Sequence, residues 1–189
     1  MARAICLSLL LLAIAGPAFA LSGHAGSGFL HPLTDYGHIL SMVGVGLWAA
    51  LLGVRRPSAR LMVPAAFIGL MAIGAAAGFA GIKLPFSEAG VLAAVFMLGG
   101  LIIAAVRVPV GTAMLVVGWF ALLQGYAHAV AAPPADPGSY ILGFLAATAL
   151  LHAVGVGLGG VAHRLLGTLG MRALGVLVLA AGAFVLAAN

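Results

Sequence analysis

The chain predicts an all-α fold: a polytopic membrane helix bundle of six transmembrane helices behind a cleavable signal peptide. Three observations predict it. Of 189 residues, 65% are hydrophobic and 6% charged, with three acidic residues in total, whereas a soluble surface needs about a quarter of its residues charged. The 28 glycines would weaken soluble helices, but in lipid small residues let backbones approach to van der Waals contact. Apolar runs of about 18–25 residues recur between Gly, Pro and Arg breaks, the length a bilayer core of ~30 Å demands.

The first twenty residues, MARAICLSLLLLAIAGPAFA, hold Arg3, an apolar run to Ala15, a Gly16-Pro17 break and small residues at Ala18 and Ala20. This is the pattern of a signal peptide cleaved after Ala20. Its apolar run is shorter than the ~20 residues of a span. Residues 21–30, LSGHAGSGFL, read as a mobile periplasmic lead-in. Residues 31–189 form the membrane domain, with spans near 31–54, 61–81, 88–106, 109–131, 139–162 and 167–187. Pro85, Pro109 and Pro137 mark span edges, and Pro64 suits the first turn of the second span.

Charge sets direction. Arg55, Arg56 and Arg60 fill the first loop, Arg107 the third, and Arg164 and Arg172 flank the fifth, while the second offers Lys83 and the fourth no cation. The positive-inside rule therefore makes the odd loops cytoplasmic. An even number of spans then places both mature termini in the periplasm, as expected for a multi-pass protein of the bacterial inner membrane. The formal charge of +5 is explained by topology, and no nucleic-acid partner is expected. The single cysteine, Cys6, allows neither a disulfide framework nor a thiolate metal site within one chain. Gly74 to Gly78 and Gly155 to Gly159 are small-residue faces that suit packing within the chain.

Scarce polar groups are gathered at particular depths. If a helix begins near Pro32, His31, Asp35 and His38 share one face, which Ser41 extends. A carboxylate at membrane depth costs several kcal/mol unless it is paired, hydrated or bound to a cation, so this face should meet the bundle interior or a wet outer vestibule. Gln124 and His128, four apart, repeat the chemistry at the outer end of the fourth span. His152 falls about 20 Å along the fifth span at 1.5 Å per residue, past the bilayer middle. The series His31, His38, His128, His152 makes a graded track inward. Imidazole with carboxylate suits Ni²⁺, Co²⁺ or Zn²⁺, bound transiently, and the lack of thiolates argues against soft-metal sites. Asp35, His38 and Ser41 are the residue types of a hydrolase triad, but one-helix spacing supplies no oxyanion hole, so no enzyme is expected.

HPLTDYGHILSMVGVGLWAALLG, LLQGYAHAV and GSYILGFLAATALLHAVGVGLG together resemble the HupE/UreJ family of hydrogenase and urease accessory membrane proteins, over essentially the whole mature chain. His31, Pro32, His38, Met42, Val45, Gly46, Trp48 and Ala49 match the family's first motif. Gly37 stands at its usual Asp position, with Asp35 two residues earlier. Of the second motif Gly125, Ala127 and His128 remain, with Gln124 in place of a His and Ala131 in place of a Glu. His152 and Glu88 also fit the family pattern. The resemblance implies a nickel permease-like role that supplies hydrogenase or urease maturation proteins. Two alternatives stand beside it: a non-transporting accessory protein that binds metal or docks maturation proteins, and a bis-His haem membrane protein.

Overall fold

A computed structural model describes residues 24–84, 89–133 and 135–188. The expected signal peptide at 1–20, Pro85 and Glu88 lie outside the described residues. These contain six helices and no strand: α1 His24–Thr34, α2 Tyr36–Gly53, α3 Ala59–Phe79, α4 Ala89–Ile103, α5 Val110–Ala131 and α6 Pro137–Ala188.

At 52 residues α6 would be about 78 Å long if straight, more than two bilayer cores, and it is broken at Gly167, with φ 60° and ψ −142°. That conformation is open to glycine and strained for any residue with a Cβ. The break yields the fifth and sixth predicted spans as legs 137–166 and 168–188. Helices α2, α3, α5 and α6 are long and apolar enough to cross a membrane, and the apolar stretch Gly90–Ile103 is shorter. Leu61, Leu115, Trp119, Leu165, Leu169 and Phe184 are exposed, whereas Trp48, Phe67, Phe144, Met71 and Ile102 are fully buried. Large apolar side chains thus face outward as well as inward, as lipid permits and water does not. The chain is an integral membrane protein with a helical core.

Two glycine-mediated crossings hold the bundle together. A Cβ at Gly46 of α2 would collide with the His152 carbonyl oxygen, and one at Gly155 of α6 with that of Val43. Likewise a Cβ at Gly74 of α3 would strike the Leu122 carbonyl oxygen, and one at Gly125 of α5 that of Met71. The small-residue faces are therefore used within the chain, pairing α2 with α6 and α3 with α5 at backbone contact.

The amino-terminal end differs from the sequence expectation. Residues 24–30 belong to α1, which lies on the start of α6: Gly28 meets the Tyr140 carbonyl and Gly143 meets that of Ala25. Close backbone packing, which local propensity does not report, orders this Gly-rich stretch. Nor does the first span begin at Pro32, which lies inside α1. The chain turns at Asp35, whose backbone is extended (φ −104°, ψ 114°) and whose side chain accepts from the His38 N–H as the N-cap of α2. Asp satisfies an otherwise orphaned helix N–H more effectively from the cap than from a helix interior. His31 and His38 consequently sit on different helices.

The third span ends at Ile103, short of the expected 106. Val106 N–H donates to the Leu101 carbonyl and Ala105 N–H to that of Ile102, at 2.9 and 3.0 Å, a Schellman closure. Ala105 occupies its left-handed position with φ 52°, where α3 uses Gly81 with φ 74°. Ala105→Gly is expected to stabilise the protein by about 1 kcal/mol, by relieving the left-handed alanine. A thermal midpoint in detergent that fell on this substitution would contradict that geometry.

Candidate metal site

Three helices bring imidazoles together at the end of the bundle opposite the arginine-rich loops. α1 supplies His31, α2 supplies His38, and the last turn of α5 supplies His128. One ligand nitrogen of each lies within 4.8 Å of the others. His38 Nε2 and His128 Nε2 are 2.7 Å apart, and the ring centroids of His31 lie 5.6 Å from His38 and 5.0 Å from His128. His38 and His128 are buried and His31 half-buried. A cavity of about 560 Å³ opens beside them, walled also by Asp35, Gly37, Tyr126 and Ala131.

The cap at Asp35 also orients this cluster. Asp35 Oδ1 accepts from the His38 backbone N–H at 2.9 Å and lies 3.1 Å from His38 Nδ1. The second contact does not have hydrogen-bond geometry, since His38 Nδ1 has no partner of good geometry; it sets the carboxylate against the edge of the imidazole. The opposite ring nitrogen, His38 Nε2, faces His128 Nε2. The His38 side chain and backbone N–H hold the Asp35 carboxyl well below the usual carboxylate range. Burial, with a smaller contribution from His38, lowers the pKa of His31 against the opposing pull of Asp35. A neutral imidazole beside an ionised carboxylate is the state a cation requires.

The pH dependence follows with a definite sign. His31 and Asp35 both have lowered pKa values in the folded state, so the unfolded chain binds more protons and stability is lost as pH falls. The loss at His31 begins below its unfolded value near 6.5, and that at Asp35 below about 3.9. Cation binding is expected to be level above the ordinary imidazole range, about 6.5, and to weaken as pH falls through the lowered range in which His31 takes up a proton. A titration of bound Ni²⁺ against pH checks this; affinity that stays constant until the protein unfolds in acid would exclude ligation by His31.

The floor is Phe144 of α6. Its ring is fully buried, 3.6 Å from the His128 ring centroid and 6.0 Å from that of His38. One helical turn deeper on each element comes a second polar tier. Gln124 Nε2 donates to Ser41 Oγ at 3.1 Å, and Thr148 Oγ1 donates to the Phe144 carbonyl at 2.9 Å, with the Met71 sulfur 3.8 Å away. His152 lies one turn further, its ring edge-on to Phe67 at 4.9 Å.

Of the residues singled out in the sequence, His31, Asp35, His38 and His128 converge. Ser41 and Gln124 form the tier below them, and His152 is separate and deeper. His152 is 1% exposed with neither ring nitrogen partnered, and Gln124 Oε1 is likewise buried without a partner. Glu88 lies outside the described residues. Phe144 carried no polar signal in the sequence; its place four residues before Thr148 and eight before His152 was the available clue.

Borderline-hard nitrogen donors with a carboxylate beside them match Ni²⁺, Co²⁺ or Zn²⁺, and the open cavity leaves room for water to complete the coordination. The 2.7 Å approach of His38 to His128 leaves no slot for a porphyrin between them, so the haem alternative has no support in this pair.

Comparison with known proteins agrees with this architecture. The family model described as HupE / UreJ protein matches residues 7–185. The chain is 40% identical over 161 residues to Protein HupE of Rhizobium leguminosarum bv. viciae, covering 85% of this chain and 83% of that protein. No solved structure matches it. The imidazole-bearing helical bundle, the family match along nearly its whole length and this relative place the chain in the HupE/UreJ family of hydrogenase and urease accessory membrane proteins.

Proposed function

We propose that the protein is a nickel permease-like protein of the bacterial inner membrane, taking Ni²⁺, or a related divalent cation such as Co²⁺, from the periplasm toward hydrogenase or urease maturation proteins. The observation that carries this reading is the convergence of His31, His38 and His128 on an open cavity. On the positive-inside reading of the arginine bias, that cavity faces the periplasm, as do both mature termini.

Beneath the site, Ser41, Gln124, Thr148, Met71 and His152 continue the polar series at intervals of about 5–6 Å along the helices. Interior polar groups of this kind mark cation pathways in membrane proteins, because lipid-facing ones are too costly. His152 serves as an inner ligand. The membrane potential supplies about 2.3 kcal/mol per charge per 100 mV, so a divalent cation is drawn inward without a nucleotide-driven partner. The hydrogen bond from Gln124 to Ser41 keeps the tier below the histidines in place.

One observation favours the second reading, an accessory protein that binds metal without moving it: the buried Phe144 ring closes the floor directly under His128. Proteoliposomes separate the two. A permease accumulates ⁶³Ni²⁺ in response to an inside-negative potential, whereas a binding protein shows saturable surface binding and no accumulation. Ala131 lines the cavity and is exposed, so Ala131→Glu adds a carboxylate within reach of a bound cation. It is expected to tighten Ni²⁺ binding by about tenfold. Unchanged affinity would mean that position 131 does not face the bound ion.

A further inference from the structure

At the opposite end of the bundle the charge is unbalanced. The acids among the described residues are Asp35 and Asp136, which sit at the site end of α2 and just before α6. None lies near the loops joining α2 to α3 and α4 to α5. Those loops enclose a cavity of about 580 Å³ walled by Arg55, Arg56, Arg107, Ser58, Leu52 and Val110. Among the described residues the three guanidinium groups have no carboxylate partner.

The arginines are not on free tails. Trp48 Nε1 donates to the Val106 carbonyl at 3.1 Å, and the closure over Leu101 to Val106 fixes the same turn. Arg107 is thereby held beside α2. Arg55 and Arg56 follow the C-cap Val54 of α2, their N–H groups tied to the Leu52 carbonyl at 3.2 and 3.1 Å. Two helices also begin at this cavity. Ser58 is the N-cap of α3 with its hydroxyl not used in capping, and Val110 opens α5 behind Pro109. Helix N-termini carry partial positive charge, which adds to that of the guanidinium groups.

Planar guanidinium donors suit tetrahedral oxyanions, and repulsion among three of them is relieved by a shared anion. Leu52 and Val110 supply an apolar wall beside the charge. We propose that this cavity is a binding site for a phosphate group, either the headgroup of an anionic phospholipid on the cytoplasmic leaflet or free phosphate. It rests on the charge distribution and loop geometry and does not depend on metal transport.

The test uses full-length protein in nanodiscs and native mass spectrometry of retained lipid. In mixed phosphatidylglycerol and phosphatidylcholine, the parent is expected to retain phosphatidylglycerol. The Arg55→Gln/Arg107→Gln variant is expected to lose about tenfold or more of that retention. Arg164→Gln/Arg172→Gln removes equal charge from the same end but outside the cavity, and should retain the lipid. A second arm places both variants in phosphatidylcholine alone and reads thermal stabilisation by inorganic phosphate; stabilisation of the parent alone would identify free phosphate as the source. The proposal is overturned if the parent shows neither preference nor stabilisation, or if the two double variants behave alike.

Discussion

His38→Ala is expected to weaken Ni²⁺ binding by about 100-fold or more and to reduce uptake to background, because it removes a direct donor and the group that Asp35 orients. His128→Ala should do the same from a different helix, since the two Nε2 atoms lie 2.7 Å apart. The double variant should be little worse than either single one, as expected for ligands that act as a unit. Asp35→Asn should cost less, about 10-fold, by loosening the imidazole and weakening the cap while leaving three nitrogens in place. His38→Gln is a useful control, because a purely structural histidine would be partly rescued by it and a metal ligand would not. Isothermal titration with Ni²⁺ and ⁶³Ni²⁺ uptake read these effects separately. Full uptake in both alanine variants would end the permease reading.

The second large effect concerns the fold that holds the site. Gly155→Leu is expected to destabilise the bundle by more than ~3 kcal/mol, because its side chain would have to displace backbone at Val43 and Gly46, where no flexible group can yield. The α2 and α6 helices would separate, carrying His38 away from Phe144. Metal affinity should therefore fall together with the thermal midpoint, although residue 155 lies far from His31, His38 and His128 in sequence. Gly157→Leu on the same helix, where a Cβ meets open space, should leave both unchanged. Equal tolerance at the two positions would contradict the close α2/α6 crossing.

Much of this architecture was legible because lipid forces a strong signal: a span must be long, apolar and bounded. The second and fourth spans, expected at 61–81 and 109–131, appear as Ala59–Phe79 and Val110–Ala131. The break between the last two spans falls at Gly167. What the sequence obscured depends on tertiary contacts. Helix α1 is built from HAGSGFLHPLT, whose glycines argue against helix until Gly28 is seen against Tyr140.

The expected convergence of His31 with His38 is present but has a different cause. One continuous helix was to align them; instead a corner at Asp35 folds α1 against α2. The signal for that corner was an Asp ahead of an apolar helix, and Pro32 competed with it as a helix start. His128 and Gln124 were legible from a simple four-residue spacing. His152 lies further along α6 than Phe144 and Thr148, and that depth separates it from the cluster. Phe144 escaped notice because an aromatic in an apolar helix looks like any other core residue until a ring is found beneath an imidazole.

The central claim is that His31, His38 and His128 ligate one cation together. X-ray absorption at the nickel edge, on detergent-solubilised protein loaded with one equivalent of Ni²⁺, addresses it most directly. The account predicts three imidazole nitrogens at about 2.1 Å with oxygen completing the shell, and loss of imidazole scattering in His128→Ala. A shell of oxygen alone, or an imidazole count that His31→Ala, His38→Ala and His128→Ala each leave unaltered, would contradict it.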